Sequence, residues 1–275
     1  MGVRDLVVFF VAVWLFSWGA WFASSGIEAG VPRTALILLG TFAPGIVAIC
    51  LTGWVHGQGG VSTLLRRLFI WQVPLRWYLF VIGYIAVIKL TAAVVHFAFT
   101  GEWPAFGSDS WYLMLAATLA STVLGGQAGE ELGWRGYALP RLCMRFGLGV
   151  SSVILGLVWA SWHLPLFFIA GSDTEGQSFP LYLMQIAALS VAMAWVYART
   201  DGSLLLVMLM HAAVNNTKDI VPSAEAHATD PWALSHSLVA WITVTLLWLC
   251  AAYFLIRMYR NPGLTQSVAQ TIHTV

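Results

Sequence analysis

Long apolar runs recur along almost the whole chain and limit its fold more than any other feature. Most of them approach the roughly 20 residues that a membrane-spanning helix needs. They lie at about 6–23, 34–55, 78–99, 111–128, 150–170, 180–198, 203–216 and 233–256. Charged residues make up only 9% of the 275 residues, against about 25% in soluble domains. The sequence therefore predicts an all-α, polytopic membrane bundle of about eight transmembrane helices.

Lysine and arginine are distributed unevenly between the predicted loops. If the N-terminus is cytoplasmic, only Arg33 and Lys218 lie on the far side, and Lys89 lies inside a helix. The other ten basic residues then fall on the cytoplasmic side: Arg4, Arg66, Arg67, Arg76, Arg135, Arg141, Arg145, Arg199, Arg257 and Arg260. Because cytoplasmic loops carry an excess of basic residues, both termini are predicted to be cytoplasmic. A net charge of +1, without a basic stretch interleaved with aromatics, gives no reason to expect a nucleic-acid partner.

Residues 1–260 are predicted to form a single transmembrane domain, with a catalytic core at about 111–216. Residues 61–73 place four apolar side chains on one helical face beside two arginines. This pattern is typical of an amphipathic helix in the headgroup region, and a plain cytoplasmic loop is the alternative. The polar residues 261–275 are predicted to form a flexible C-terminal tail.

Two adjacent carboxylates stand out in the stretch GEELGWRGY, which follows the fourth apolar run. Glu131 and Arg135 are spaced i, i+4 and can pair on one helical face, whereas Glu130 points about 100° away. Ionisable groups at membrane depth are costly and generally functional. The alternative is a cytoplasmic helix end with solvated charges. Gly129 and Gly133, with Gly125, also form a small-residue ridge that lets another helix approach.

Two later stretches, WASWHLP and HAAVNN, add further polar groups to apolar helices. His163 lies in the first, and His211 and Asn215, spaced i, i+4, lie in the second. Each has a plain alternative, a packing histidine or a polar clamp between helices. The helical rise places Glu130 roughly 12 Å from a predicted cytoplasmic helix end near Ala138, His211 roughly 12 Å from Ser203, and His163 roughly 18 Å from Ser151. Similar depths on three helices indicate one common site.

Two related chemistries suit these residues. In one, Glu130 and His163 deprotonate a water that attacks a carbonyl, and His211 and Asn215 donate hydrogen bonds to the oxyanion. In the other, Glu130, His163 and His211 ligate Zn²⁺. The chain has no HExxH motif, and no GxSxG motif lies near these residues, so neither a standard zinc-protease helix nor a serine nucleophile is indicated.

The motifs EELGWRGYALPRL, WASWHLP and HAAVN, in this order, resemble those of the CPBP family of intramembrane proteases. That family includes type II CAAX prenyl endopeptidases and bacteriocin-immunity relatives, and the resemblance covers about residues 60–216. It implies that Glu130 and His163 activate water, that His211 and Asn215 form the oxyanion hole, and that Glu131 and Arg135 orient the site. Trp159 stands where the family usually has phenylalanine.

The resemblance implies an endopeptidase that acts on a membrane-associated or lipidated peptide, with the site open toward the cytoplasm. The family has been described both as metalloproteases and as metal-independent glutamate proteases, and the glutamate mechanism is favoured here because an asparagine suits an oxyanion better than zinc. A bacterial plasma membrane is the expected location. A non-catalytic scaffold or immunity protein and a small-solute transporter are the alternatives, although no internal repeat typical of transporters is seen.

Overall fold

The computed structural model describes residues 3–107, 111–172, 174, 177–223 and 230–271, and within these ranges every regular element is helical. This confirms the all-α prediction. The α-helices are α1 (Val3–Ser25), α2 (Val31–Arg66), α3 (Leu75–Thr100), α4 (Met114–Leu124), α5 (Gln127–Glu131), α6 (Leu139–Trp162), α7 (Phe179–Arg199), α8 (Leu204–Thr217), α9 (Leu238–Tyr259) and α10 (Pro262–Gln270). A π-helix, Leu132–Ala138, joins α5 to α6.

Six helical segments in the described ranges are long and apolar enough to cross a membrane. They are Arg4–Ser25, Val31–Phe69, Leu75–Thr100, Gln127–Phe168, Phe179–Arg199 and Leu238–Tyr259. Helices α4 and α8, with 11 and 14 residues, fall short of a full span of about 20 residues. The polytopic architecture is therefore confirmed, and two of the eight predicted spans are short helices. Of these, α8 is buried in the bundle, whereas α4 lies at its surface with only Thr118 and Thr122 buried.

The helices run between two ends of the bundle. At one end, the Arg67 side chain donates to the carbonyl of Thr271 at 2.6 Å, and the Ser203 hydroxyl donates to the carbonyl of Ile70 at 2.6 Å. These bonds join the C-terminal end of α2, the chain after α10 and the start of α8. The first turn of α1 and the last turn of α9 lie at the same end. The described terminal segments therefore share one end of the bundle.

We name this end the basic end, because nine of the thirteen lysines and arginines lie there. They are Arg4, Arg66, Arg67, Arg76, Arg141, Arg145, Arg199, Arg257 and Arg260. The opposite end holds the start of α2 and the connections after α6 and α8. There the Arg33 side chain donates to the carbonyl of Ala170 at 2.5 Å, and the Lys89 ammonium donates to the carbonyl of Val221 at 2.9 Å.

The polypeptide reverses direction at the basic end within α6. Gly147 adopts φ 73°, a left-handed conformation that glycine tolerates and most residues avoid. The segments on either side return to each other, since Trp159 contacts Glu130. A helix end near Ala138 was predicted, and this is wrong, because the helix continues through Ala138 into α6. The charges of this stretch are satisfied inside the bundle instead, and Arg135 is fully buried.

Helix α2 approaches the segment of the two carboxylates very closely. A Cβ atom added to Gly129 would lie 2.7 Å from the Cα of Phe42, and one added to Gly133 would lie 2.6 Å from the carbonyl carbon of Pro44. The predicted small-residue ridge is thus confirmed at these two glycines. Gly125 instead follows the last turn of α4. Close packing on α2 fixes the backbone that carries the carboxylates.

The structure describes most of the two polar segments. Gly57 (φ 65°, ψ −163°) interrupts the helical geometry within Val31–Arg66, so a separate helical segment follows it and ends in a 3₁₀ turn at Phe69; it covers most of the predicted amphipathic helix at 61–73. The predicted flexible tail at 261–275 contains α10, which packs on α6 with Val268 only 1% exposed, and residues 272–275 lie outside the described range. The Thr265 hydroxyl accepts a hydrogen bond from the backbone N–H of Leu148 at 3.1 Å. Apolar side chains spaced i, i+4 give this short helix a face to bury.

Candidate active site

Glu131 forms a closed, fully buried ion-pair cluster. Nη1 of Arg135 donates to its two carboxylate oxygens at 2.8 and 2.9 Å, and Nδ1 of His211 lies 2.8 Å from Oε1. The side chains of Glu131 and Arg135 are 0% exposed. The Arg135 guanidinium also lies 4.4 Å from the ring centroid of Trp159, in a cation–π contact. The predicted pairing of Glu131 with Arg135 is present, and His211 is a partner that the sequence pattern did not indicate.

Glu130 points to a different set of partners. Nε1 of Trp159 donates a hydrogen bond to its Oε2 at 2.7 Å, and Nε2 of His163 lies 4.0 Å from the same oxygen. Helix α6 ends at Trp162, and Pro165 lies in the 3₁₀ turn that follows, because proline has no N–H with which to continue the α-helical hydrogen bonds. The His163 ring folds back so that Nδ1 lies 2.9 Å from the carbonyl of Trp159. Trp159 thus positions both residues, Glu130 through its indole N–H and His163 through its backbone carbonyl.

The neighbours of the two histidines fix their tautomers. A backbone carbonyl only accepts hydrogen bonds, so Nδ1 of His163 carries a proton. In the neutral ring, Nε2 is then an acceptor that faces the Glu130 carboxylate. A separation of 4.0 Å is too long for a direct hydrogen bond and leaves room for one water that contacts both atoms. Nδ1 of His211 likewise carries a proton, because the Glu131 carboxylate accepts it.

Asn215 lies one helical turn after His211 on α8. Its side chain is exposed and lines a cavity that His211 also borders. The adjacent Asn216 has a different environment, because its amide nitrogen donates to the Ser121 hydroxyl at 2.9 Å and to the carbonyl of Ala212 at 2.8 Å. Of the two asparagines in the HAAVNN stretch, only Asn215 borders the cavity.

The cavity has a volume of about 380 Å³. Its inner wall contains Glu130, His163, His211 and Asn215, so the structure brings together all four residues predicted to be catalytic. Glu131 and Arg135 lie behind that wall and do not line it. Aromatic and aliphatic side chains line the remainder together with further polar ones, among them Lys89, Gln127 and Gln185. Such a mixture of apolar surface and polar groups is found in small-molecule and peptide sites.

The cavity extends toward the end opposite the basic end. Its lining includes Arg33 at the start of α2, Ser172 after α6, and Lys218 and Asp219 after α8. Among the described residues at the basic end, none lines it. The predictions of cytoplasmic termini and of a site open toward the cytoplasm are therefore incompatible with each other. The predicted depth of Glu130 depends on a helix end near Ala138, and the structure instead continues through Ala138 into α6.

The donor set was also tested against the predicted zinc alternative. Among the residues that the structure describes, no group of three histidine, cysteine or acidic side chains has a geometry suited to a metal ion. Nδ1 of His211 is directed to Glu131, and Oε2 of Glu130 accepts from Trp159. A histidine that ligates a metal through Nε2 commonly has its Nδ1 on a carboxylate as well, so the zinc alternative stays a prediction, and no step below is derived through a metal.

Two comparisons with known proteins bear on this core. Residues 109–217 match the family model described as Type II CAAX prenyl endopeptidase Rce1-like, a range that contains every predicted site residue. The chain is also 25% identical over 232 residues to CAAX prenyl protease 2 of Methanococcus maripaludis, covering 78% of this chain and 83% of that protein. The family resemblance indicated by the three motifs is thereby confirmed.

The helical bundle is that of a multi-pass membrane protein. Its core is similar to intramembrane endopeptidases of the CAAX-protease, Rce1-like type. The family match does not reach residues 60–108, which the motif resemblance had included.

Proposed function

We propose that the protein hydrolyses a peptide bond in a membrane-associated substrate by means of a water molecule activated by Glu130 and His163. The observation that carries the proposal is the 4.0 Å separation between Oε2 of Glu130 and Nε2 of His163 at the cavity wall. Both atoms are acceptors, so a water between them directs its two hydrogens at them and its lone pairs at the substrate. This is the orientation that general-base catalysis needs.

The proposed reaction proceeds in two steps. Glu130 takes a proton from the water while its oxygen adds to the carbonyl carbon, and the carbonyl oxygen becomes an oxyanion. The tetrahedral intermediate then collapses: the C–N bond breaks, Glu130 returns the proton to the leaving nitrogen, and a carboxylic acid and an amine are released. One water is consumed for each bond cleaved, and Glu130 ends in its starting state.

His211 and Asn215 are proposed to stabilise the oxyanion. The Asn215 amide can donate directly, since its side chain borders the cavity. The Nδ1 proton of His211 is engaged by Glu131, so only a second proton on Nε2 allows this ring to donate into the cavity. The contact with Glu131 supports that doubly protonated form by placing a negative charge beside the ring. Preorganised donors of this kind contribute strongly to acyl-transfer catalysis.

Substrate identity is proposed at the level of chemical class. The matched family and the relative from Methanococcus maripaludis carry names that refer to CAAX prenyl endopeptidases, which supports a peptide held near a membrane anchor. An apolar bundle with an internal cavity suits a segment next to a lipid or to a transmembrane helix. We retain the bacterial plasma membrane as the proposed location, and lipid as the surrounding partner.

The proposal is tested with purified protein in detergent or liposomes and a panel of lipidated and transmembrane peptides. Wild-type protein is expected to cut at least one peptide, and Glu130→Gln to reduce the rate by about 10²–10⁴-fold, the typical contribution of a general base. Glu102→Gln is the matched control, because it makes the same chemical change at an exposed residue outside the cavity. Mass spectrometry of the products identifies the bond.

Undiminished cleavage by Glu130→Gln would contradict the mechanism. If wild-type protein cuts no peptide but moves a solute across vesicle membranes, the transporter alternative is correct. If it does neither, the scaffold or immunity alternative stands.

A further inference from the structure

The position of the cavity and the distribution of charge are two independent features that bear on the side of the membrane from which substrate arrives. The cavity extends from Glu130 to the connections after α6 and α8. Arg33, Lys218 and Asp219 lie where it reaches that end. At the other end, α10 packs on α6 and α7, and neither α10 nor the turn between α7 and α8 contributes a residue to the cavity. Access from bulk solvent is therefore directed to one end only.

Basic residues mark the other end. Nine arginines lie at the basic end, whereas the opposite end has only Arg33 and Lys218. The other two basic residues lie inside the bundle, where Arg135 is fully buried and Lys89 is 3% exposed. Most described acidic residues at the two ends show the reverse trend: Glu28, Glu102, Asp219 and Asp230 lie at the opposite end, and Asp5 and Asp201 at the basic end. An excess of lysine and arginine identifies the cytoplasmic side of a multi-pass protein, so the basic end faces the cytoplasm.

We infer that the cavity opens on the extracytoplasmic side of the membrane, and that the substrate is a peptide segment next to the outer end of a membrane anchor. The substrate part of this inference rests on the proposed function; the orientation does not. A bond in a cytoplasmic tail, including one beside a lipid attached in the cytoplasm, lies on the wrong side of the bundle. Proteins anchored by a transmembrane helix, with an extended segment just outside it, have the required geometry.

Site-directed labelling tests the orientation without any need for activity. The three native cysteines are replaced by alanine, and single cysteines are introduced as Asp219→Cys at the cavity opening and Ser267→Cys on the exposed face of α10. The full chain is produced in a bacterial plasma membrane and treated with a membrane-impermeant maleimide. Asp219→Cys is expected to react in intact cells, and Ser267→Cys only after permeabilisation. The opposite pattern would overturn the inference.

A second position guards against a local effect at Asp219. Thr34→Cys lies at the exposed start of α2, at the same end of the bundle, and is expected to react from outside as well. Protection of both Thr34→Cys and Asp219→Cys in intact cells, with labelling after permeabilisation, would also overturn the inference.

The substrate side is tested with two membrane-anchored reporters that carry the same cleavable segment. In one, the segment immediately follows the outer end of the transmembrane helix; in the other, it precedes the inner end. Only the outer reporter is expected to be cut, and Glu130→Gln is expected to abolish that cleavage. Cleavage of the inner reporter by wild-type protein would contradict the inference. If labelling is as expected and neither reporter is cut, the orientation is supported and the proposed function fails.

Discussion

Glu130 and Glu131 are neighbours in sequence, but their surroundings differ in a way that separates structure from chemistry. Glu131 is enclosed by Arg135 and His211, with three contacts of 2.8–2.9 Å, and is 0% exposed. Glu130 has one hydrogen bond, from Trp159, and reaches the cavity. The Glu131 carboxylate has no room beside it for a substrate. The Glu130 carboxylate has room beside it for a water and a peptide.

The comparison teaches how an apolar bundle can hold two acids at once. A buried charge is tolerated when a partner of opposite charge and further hydrogen bonds surround it, and Glu131 has both. Its cluster also positions one face of His211. We therefore propose that Glu131, with Arg135 and His211, holds α5, the π-helix and α8 together. Glu130, with His163, carries out the reaction. The predictions below test that division.

The largest effect is expected from breaking the Glu131 cluster. Arg135→Met removes the cation and leaves Glu131 buried without its main partner, which costs about 3–5 kcal/mol. We expect the melting temperature in detergent to fall by roughly 10 °C, together with a lower yield of folded protein. Arg145→Met is the matched control, since Arg145 is exposed at the basic end. An unchanged melting temperature for Arg135→Met would refute the structural role.

The next effect concerns the oxyanion donors. Asn215→Ala is expected to lower kcat by about 10²–10³-fold, the usual loss for one oxyanion donor, with little change in melting temperature. The neighbouring Asn216→Ala is the control: it loses hydrogen bonds to Ser121 and Ala212, so it is expected to affect stability and leave kcat nearly intact. Steady-state kinetics with the identified peptide decide between them. The reverse result would exchange the roles of the two asparagines.

A smaller effect is expected from Trp159→Phe, which restores the residue usual in the resembling family. The variant keeps an aromatic ring but loses the N–H that donates to Glu130 at 2.7 Å. A hydrogen bond to a charged group contributes about 1.5–3 kcal/mol, so we expect kcat to fall roughly 10–100-fold at unchanged KM. Trp162→Phe is the comparison, because its Nε1 has no hydrogen-bond partner among the described residues. An equal fall in kcat for Trp159→Phe and Trp162→Phe would show that the Trp159 N–H does not position Glu130.

No effect is expected from chelation. Because the proposed water is activated by Glu130 and His163 alone, incubation with a strong zinc chelator should leave the cleavage rate unchanged, and metal analysis should find less than one zinc per chain. Loss of activity on chelation, restored by added zinc, would replace the glutamate mechanism with a metalloprotease one. The same preparation of active wild-type protein serves both measurements.

Much of the architecture follows from the sequence because lipid imposes simple rules. Apolar runs near 20 residues, separated by polar connections, predict a helical bundle, and the i, i+4 spacing of Glu131 and Arg135 predicts their ion pair. The glycines at 129 and 133 predict a close helix contact. These features are local or periodic, so one sequence is enough to recognise them.

Other features depend on tertiary contacts that have no local signal. The partnership of Glu131 with His211 joins positions 80 residues apart, and the indole of Trp159 reaches Glu130 across 29 residues. The π-helix Leu132–Ala138 continues into α6, whereas the sequence predicts a helix end near Ala138 and leaves a solvated helix end as the alternative for its charges. The predicted opening of the site toward the cytoplasm rests on that helix end, because the depth of Glu130 is counted from it. Without a helix end at Ala138, this count does not indicate the side on which the cavity opens. Charges neutralised inside a bundle and charges in water look alike in sequence.

The most direct test of the division between the two carboxylates is to measure cleavage rate and melting temperature for Glu130→Gln and Glu131→Gln in parallel. The two substitutions are chemically identical and one residue apart. We expect Glu130→Gln to melt with the wild type and to lose cleavage, and Glu131→Gln to melt at a markedly lower temperature. Cleavage at the wild-type rate by Glu130→Gln, or a wild-type melting temperature for Glu131→Gln, would contradict the account.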